Sequence, residues 1–206
     1  MCSKYLKHPQ RVQMEISHRV GGRSQRVWND LTSPIRLNIG CGMDFRPDYV
    51  GVDQNPQPYD IKHDLTDPFP LGDNTVSAII TEDTLEHLKE EDIVPLLNEC
   101  HRILESGARM RVGVPDYGSP AKAEKLERGF DPDYPDHSFL PTYNQFLALV
   151  KKSDFHDWSF FHYWDDGVFH YKPMDHSCGT IKRAVDRKRH TKNQFLESSL
   201  CVDLFA

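Results

Sequence analysis

No stretch of the 206-residue sequence approaches the ~20 consecutive apolar residues that a bilayer-spanning helix needs, and the mean hydropathy is −0.63. No membrane partner is therefore expected. Met1 to Gln10 is polar and basic and lacks an apolar core, so no secretory leader is expected either. Paired cysteines are also lacking: the five are an odd number, and no two have Cys-x-x-Cys spacing. Cys41 and Cys100 fall inside apolar patterns, where a free thiol behaves as a small hydrophobe. A reducing compartment, the cytoplasm, is the expected location. Excess positive charge is missing too. A net charge of −6 argues against a general nucleic-acid binder.

The charge that is there is unevenly spread. Between Met1 and Arg36, seven Lys and Arg residues face only Glu15 and Asp30. A second basic run holds Lys182, Arg183, Arg187, Lys188, Arg189 and Lys192 around Asp186. Such runs are usually solvated faces; the sharper reading is a clasp for an anionic small-molecule acceptor.

Length alone points to one domain, 1–206. The pattern divides it into an N-terminal basic helical segment (1–34), a core (35–116) and a late segment (117–206). Ile35 to Ile39 is a short strand pattern running into Gly40-Cys41-Gly42, and Tyr49 to Val52 is a second strand ending in Asp53. Thr75 to Thr81 is the β-branched run of a buried parallel strand. From Glu91 to Ser106 the period becomes helical (Ile93, Leu96, Leu97, Cys100, Ile103, Leu104), and Gly107 supplies a stop. Arg109 to Val114 returns to strand, Thr142 to Ser153 reads as a helix, and Trp158 to Trp164 and Ser199 to Phe205 are late strands. Alternating strands and helices predict an α/β, Rossmann-like, doubly wound sheet. It is expected to be mostly parallel and seven-stranded, with helices on both faces and a late insertion covering the cleft.

Ligands in such a sheet sit at the carboxyl ends of the strands, where the strand order reverses. Those ends carry Asn38, Gly40, Cys41 and Gly42, then Asp53, Asp64-Leu65, Thr81 to His87, and Val114-Pro115-Asp116. Glycines at 40 and 42 let the backbone turn sharply and approach a bulky ligand. A carboxylate at the next strand end is placed to accept both hydroxyls of a ribose. His63-Asp64-Leu65 offers a polar and apolar pair suited to an adenine edge.

Leu37-Asn38-Ile39-Gly40-Cys41-Gly42, Gly51-Val52-Asp53, His63-Asp64-Leu65, Phe69 to Val76, Leu85-Glu86-His87-Leu88, Leu97 to Leu104 and Val114-Pro115-Asp116, in that order, resemble the class I methyltransferases of the type 11 group. The resemblance covers about residues 35 to 120 and implies S-adenosylmethionine as cofactor. It implies that Gly40 and Gly42 contact the methionine end, that Asp53 binds the ribose, that Asp64 and Leu65 flank the adenine, and that Thr81 and Glu82 border the sulfonium pocket. Methyl transfer to a small-molecule or sugar/nucleotide-type acceptor is the implied reaction, with positioning in line with the nucleophile supplying most of the acceleration. Two departures stand out: Asp44 replaces the usual third glycine, and the chain between Gly42 and Asp53, interrupted by Pro47, is too short for a crossover helix. In that shortened loop the chain resembles a small predicted-methyltransferase subgroup. A methyltransferase fold acting as a non-catalytic binding or scaffold module is the alternative. An NAD-dependent oxidoreductase is weaker, because Asp53 comes too soon for the usual offset of about 20 residues.

Asp83, Glu86 and His87 fall at i, i+3 and i+4, so a helical turn beginning at Asp83 puts them on one face. The plainer reading makes Asp83 a cap and Glu86-His87 packing residues. The sharper one makes His87 a general base, or resembles, with Asp in the first place, the Glu-x-x-Glu-His divalent site of small-RNA 2′-O-methyltransferases and ubiquinone-pathway O-methyltransferases. A chelator-insensitive enzyme is expected over a metal-dependent one, and no metal ligand is assigned. Five histidines lie between His137 and His176. His137, which follows a turn rich in Pro and Asp, is the candidate among them for catalysis beside His87 and Asp83.

Overall fold

The computed structural model describes residues 27–56, 60–184 and 198–206. The expected N-terminal helical segment and residues 185–192 of the second basic run lie outside them, apart from a short 3-10 turn at Trp28–Asp30. Eight strands form one sheet: β1 (Ile35–Ile39), β2 (Val50–Asp53), β3 (Ile61–Lys62), β4 (Val76–Glu82), β5 (Leu104–Pro115), β6 (Asp157–Asp165), β7 (Val168–Tyr171) and β8 (Ser199–Phe205). The order is β3-β2-β1-β4-β5-β8-β6-β7. β1 to β5 run parallel, whereas β8 is antiparallel to both β5 and β6, and β7 to β6. The chain leaves β1 toward β2 on one side and reaches β4 on the other, so the strand order reverses at β1, the place for a ligand in an open α/β sheet.

The expected Rossmann-like fold class is borne out, with two differences: an eighth strand, and a second face whose core holds no helical residue among those described, where helices were expected on both faces. The eighth strand is β7, a hairpin partner of β6 that turns at Asp166 (φ 47°) and Gly167 (φ 73°). The helix α1 spans Glu90–Ile103 and stops before Gly107. Leu104 already pairs with Val76, and Gly107 (φ 78°) lies inside β5 near the shift in its register with β4. α2 (Ala123–Arg128) and α3 (Tyr143–Val150) follow β5, and Thr142 caps α3 in a reciprocal pair with Gln145. Among the described residues no helix joins β1 to β2, as the short spacing required.

Strand alternation separates two faces. Leu37, Ile39, Ile79, Met110, Val112, Val114, Leu200, Val202 and Leu204 point into the main core, where α1 adds Ile93, Leu97 and Cys100 and α3 adds Phe146 and Val150. Their neighbours in sequence, Ile80 and Cys201, join Phe161 and Ile181 in a second, smaller core with no helical residue among those described. There the chain from Lys172 to Ala184 lies across the sheet as a strap. Arg111, fully buried, donates from Nε and Nη2 to the two oxygens of Asp203 at 2.7 Å each, and its Nη1 donates to the carbonyls of Asp175 and Gly179. Arg109 adds bonds to Asp203, Asp175 and Ser177. None of the described helices is long and apolar enough to cross a membrane.

Candidate active site

The loop after β1 is built around two close approaches. Gly40 and Cys41 both donate their N–H groups to the carbonyl of Val52, binding the loop to β2. Gly40 has φ 64°, and a Cβ there would lie 2.1 Å from Thr84 Cγ2, so only glycine fits beneath the turn that follows β4. Asn38 donates from Nδ2 to the Asp44 carbonyl at 3.0 Å, which folds the chain back over the end of β1. Cys41 is buried beside Asp60. Burial, with the charges of Asp60 and Asp53, pushes its thiol up to about 12, so it is protonated and unreactive.

Asp53 ends β2 with each carboxylate oxygen accepting one backbone N–H at 2.8 Å, Oδ2 from Gly42 and Oδ1 from Asn55. A carboxylate has about four acceptor positions, so capacity remains for two hydroxyls. A Cβ on Gly42 would meet nothing within 4 Å, which leaves open ground beside this carboxylate. The donor set and the open loop fit the ribose and methionine end of S-adenosylmethionine. Asp64 Oδ1 accepts from the backbone and hydroxyl of Thr66, bonds that hold its carboxyl below the usual range, while Leu65 beside it is buried. The ring of His63 stacks on Phe69 and meets Trp28 edge-on.

Thr81 is fully buried. Glu82 has become a knot. Its Oε2 accepts from Arg46 Nη2 at 2.8 Å and from the Lys182 N–H at 3.0 Å, and its Oε1 accepts from the Arg183 N–H at 2.7 Å. Arg46 also binds Asp44 and the Thr180 carbonyl, Lys182 pairs with Asp44, and Arg183 pairs with Asp83. The described part of the second basic run is thus pinned to carboxylates at the strand ends instead of standing free in solvent.

Past β4 the predicted acid and imidazole cluster divides. Asp83 (φ 52°) turns toward Arg183, whereas the 3-10 turn Leu85–His87 sends Glu86 inward. Glu86 is 1% exposed, and among the described residues neither carboxylate oxygen has a hydrogen-bond partner. Burial, helped by the charge of Asp83, pushes its carboxyl up to about 8. The ring of His87 meets that of His137 edge-on at 4.9 Å, so a histidine of the late segment does join the one after β4. One donor atom from each of Glu86, His87 and His137 lies within 4.8 Å of the others.

The hydrogen bonds fix the tautomers of both rings. Tyr117 donates its hydroxyl proton to Asp131 Oδ2 at 2.8 Å, and burial together with that bond keeps the phenol protonated. The Tyr117 hydroxyl oxygen in turn lies 2.7 Å from His137 Nδ1, so Nδ1 carries the hydrogen of that ring. His87 Nδ1 faces two acceptors, the carbonyl of Asp136 at 3.3 Å and its carboxylate at 3.2 Å, so Nδ1 carries a hydrogen there as well. Burial and the neighbouring His87 lower the basicity of His137. Tyr117 and Asp131 were not candidates from sequence. Their signals were the position of Tyr117 directly after Val114-Pro115-Asp116 and the Asp131-x-Asp133 spacing just before His137.

Comparison with known proteins agrees with the fold. A family model described as a methyltransferase domain, type 11, matches residues 25–112. No curated protein matches the chain. Among solved structures, the fold is similar to a SAM-dependent methyltransferase from Thermotoga maritima (TM-score 0.57, 14% identity, 85% of this chain and 83% of that one). It is equally similar to one from Archaeoglobus fulgidus (TM-score 0.57, 15% identity, 84% and 87%). With the glycine loop, the carboxylate ending β2 and the reversal of strand order at β1, residues 25–112 match the type 11 methyltransferase domain, and the fold is that of S-adenosylmethionine-dependent methyltransferases.

Proposed function

We propose that the chain transfers a methyl group from S-adenosylmethionine to a small-molecule acceptor of the sugar or nucleotide type, seated between the end of β4 and the 117–140 segment. The chain acts as one domain, 1–206, with 35–116 holding the cofactor and 117–206 the acceptor. Asp53 takes the ribose hydroxyls, Gly40, Cys41, Gly42 and Asn38 shape the methionine end, Asp64 and Leu65 flank the adenine, and Thr81 and Glu82 border the sulfonium. Bound there, the cofactor supplies a methyl group made electrophilic by its sulfonium sulfur.

One observation carries the acceptor side: two imidazoles, each held at Nδ1, converge with a buried carboxylate that has no partner among the described residues, next to the end of β4. In this reading the two imidazoles stand beside an acceptor that must lose a proton as it gains a methyl group. His87 and His137 are the groups proposed to act on it, while Asp83, held by Arg183, sets the charge around Glu86. A non-catalytic binding role is the second reading, and it draws on Glu82, whose oxygens already accept three donors.

Calorimetry with S-adenosylmethionine, on the wild type and on Asp53→Ala, tests the cofactor site. Loss of a charged acceptor costs about 1.5–3 kcal/mol per hydrogen bond, so affinity should fall at least tenfold in a variant that melts like the wild type. Unchanged affinity removes Asp53 from the ribose. Incubation with methyl-labelled cofactor and pooled sugars, nucleotides and small metabolites separates catalysis from the scaffold reading, because only an enzyme moves label into acceptor.

A further inference from the structure

We propose that Glu86, His87 and His137 form a binding site for a divalent zinc-type cation with an open coordination position. Three donors, two nitrogens and one oxygen, converge from two distant parts of the chain to within 4.8 Å of one another. A tetrahedral ion bonded at about 2.0–2.2 Å would draw them to about 3.4 Å apart, a closure of the size side-chain rotation supplies.

The surroundings are those of a ligand set rather than of a packed polar residue. A carboxylate buried to 1% exposure ordinarily finds partners, and both oxygens of Glu86 lack one among the described residues. Each imidazole is clamped at Nδ1: His87 by Asp136, His137 by the hydroxyl of Tyr117, which is itself held by Asp131. Metal-binding histidines are oriented in this manner, with one nitrogen donating outward and the other presented to the ion. The donor set selects the ion. Two imidazoles favour borderline transition ions, above all zinc, over magnesium and calcium, which take oxygen ligands. Three protein ligands leave one position open, the mark of a catalytic site and not of a structural one. The side chain of His87 is 40% exposed, so an ion can reach the site from solvent.

The consequence for chemistry rests on the methyl-transfer reading above; the binding itself does not. An acceptor hydroxyl in the open position is more acidic than in water. Its proton passes to solvent, the oxygen pair forms the bond to the methyl carbon, and the methyl–sulfur pair remains on sulfur. The site thereby narrows the acceptor to one that offers an oxygen nucleophile.

The test uses the full chain stripped with chelator, titrated with zinc against a chromophoric competitor and, separately, with cobalt followed by visible absorption. One equivalent should bind, with an intense four-coordinate cobalt spectrum. Glu86→Gln and His137→Ala should each weaken zinc binding at least tenfold and diminish the cobalt bands, with melting temperature recorded for both. His137→Ala is the safer variant for folding, because His137 is only partly buried. Tight zinc binding that both variants leave unchanged would belong to cysteines or surface histidines and would overturn the proposal, as would no binding at all. Metal binding in a chain that fails to bind S-adenosylmethionine would keep this site and sink the methyl-transfer reading instead.

Discussion

At the scale of single residues, what decided function was burial and partners, which sequence spacing reports poorly. Gly40, Gly42 and Asp53 were legible because a strand end, a sharp turn and a carboxylate follow one another within a short stretch. The late histidines were not legible one from another. His137 donates through Nδ1 and meets His87 edge-on, whereas His162, in the same segment, is 1% exposed, stacks on Tyr171 and has no hydrogen-bond partner on either nitrogen among the described residues. Burial pulls the imidazole of His162 down to about 4. Between that value and its ordinary 6.5 the unfolded chain holds the proton and the folded chain does not, so stability rises with pH through this window. The contribution is complete above 6.5 and lost as pH falls through 4, a swing of about 3 kcal/mol at most. Urea unfolding of the wild type should show that slope, and His162→Leu, of similar volume and with no proton to gain, should flatten it. An identical acid slope in the variant would assign the loss to another group.

At the scale of elements, periodicity found what is long and apolar and missed what is short or held by partners distant in sequence. β1, β4, α1 and β8 fell close to their predicted bounds because each carries its own hydrophobic pattern. β3, of two residues, has no room for one. β7 did have a signal that went unused. Asp166-Gly167 is the dipeptide that a two-residue hairpin turn with both φ angles positive demands, and it lies between aromatic strands. The strap could not be foreseen, since its anchors are Arg109 and Arg111 on β5, more than sixty positions before Asp175, and Asp203 on β8, more than ninety positions beyond those arginines. Asp203→Asn would leave the Arg111 guanidinium buried without its counter-ion, at a cost of about 3–5 kcal/mol. Replacing both partners, as in Arg111→Met with Asp203→Leu, removes the uncompensated charge and should recover most of the melting temperature. Recovery should be incomplete, because the carbonyls of Asp175 and Gly179 lose their donor. A double variant less stable than Asp203→Asn would refute this account of the pair.

At the scale of the molecule, the two faces of the sheet are unequal, and that inequality bears on access to the site. One face carries the main core with α1 and α3; the other carries Ile80, Phe161, Ile181 and Cys201 beneath the strap, with polar ties doing much of the holding. Opening the strap exposes little apolar surface, whereas opening β1, β4 or β5 requires the whole core to come apart. The strap also ends on Glu82 and Asp83, at the mouth of the cleft, so its opening is an opening of the site. Local openings of this kind appear in hydrogen exchange as amides whose opening free energy is low and barely changes with denaturant, since that dependence scales with the surface exposed. The amides of Lys182 and Arg183, which donate to Glu82, should behave in this way, and those of Leu37, Ile79 and Val112 should follow global unfolding. Glu82→Gln, which weakens the acceptor without changing its shape, should accelerate exchange at Lys182 and Arg183 and leave Ile79 unaffected. If all five amides share one free energy and one denaturant dependence, the strap is part of the global unit and the cleft does not open independently of the core.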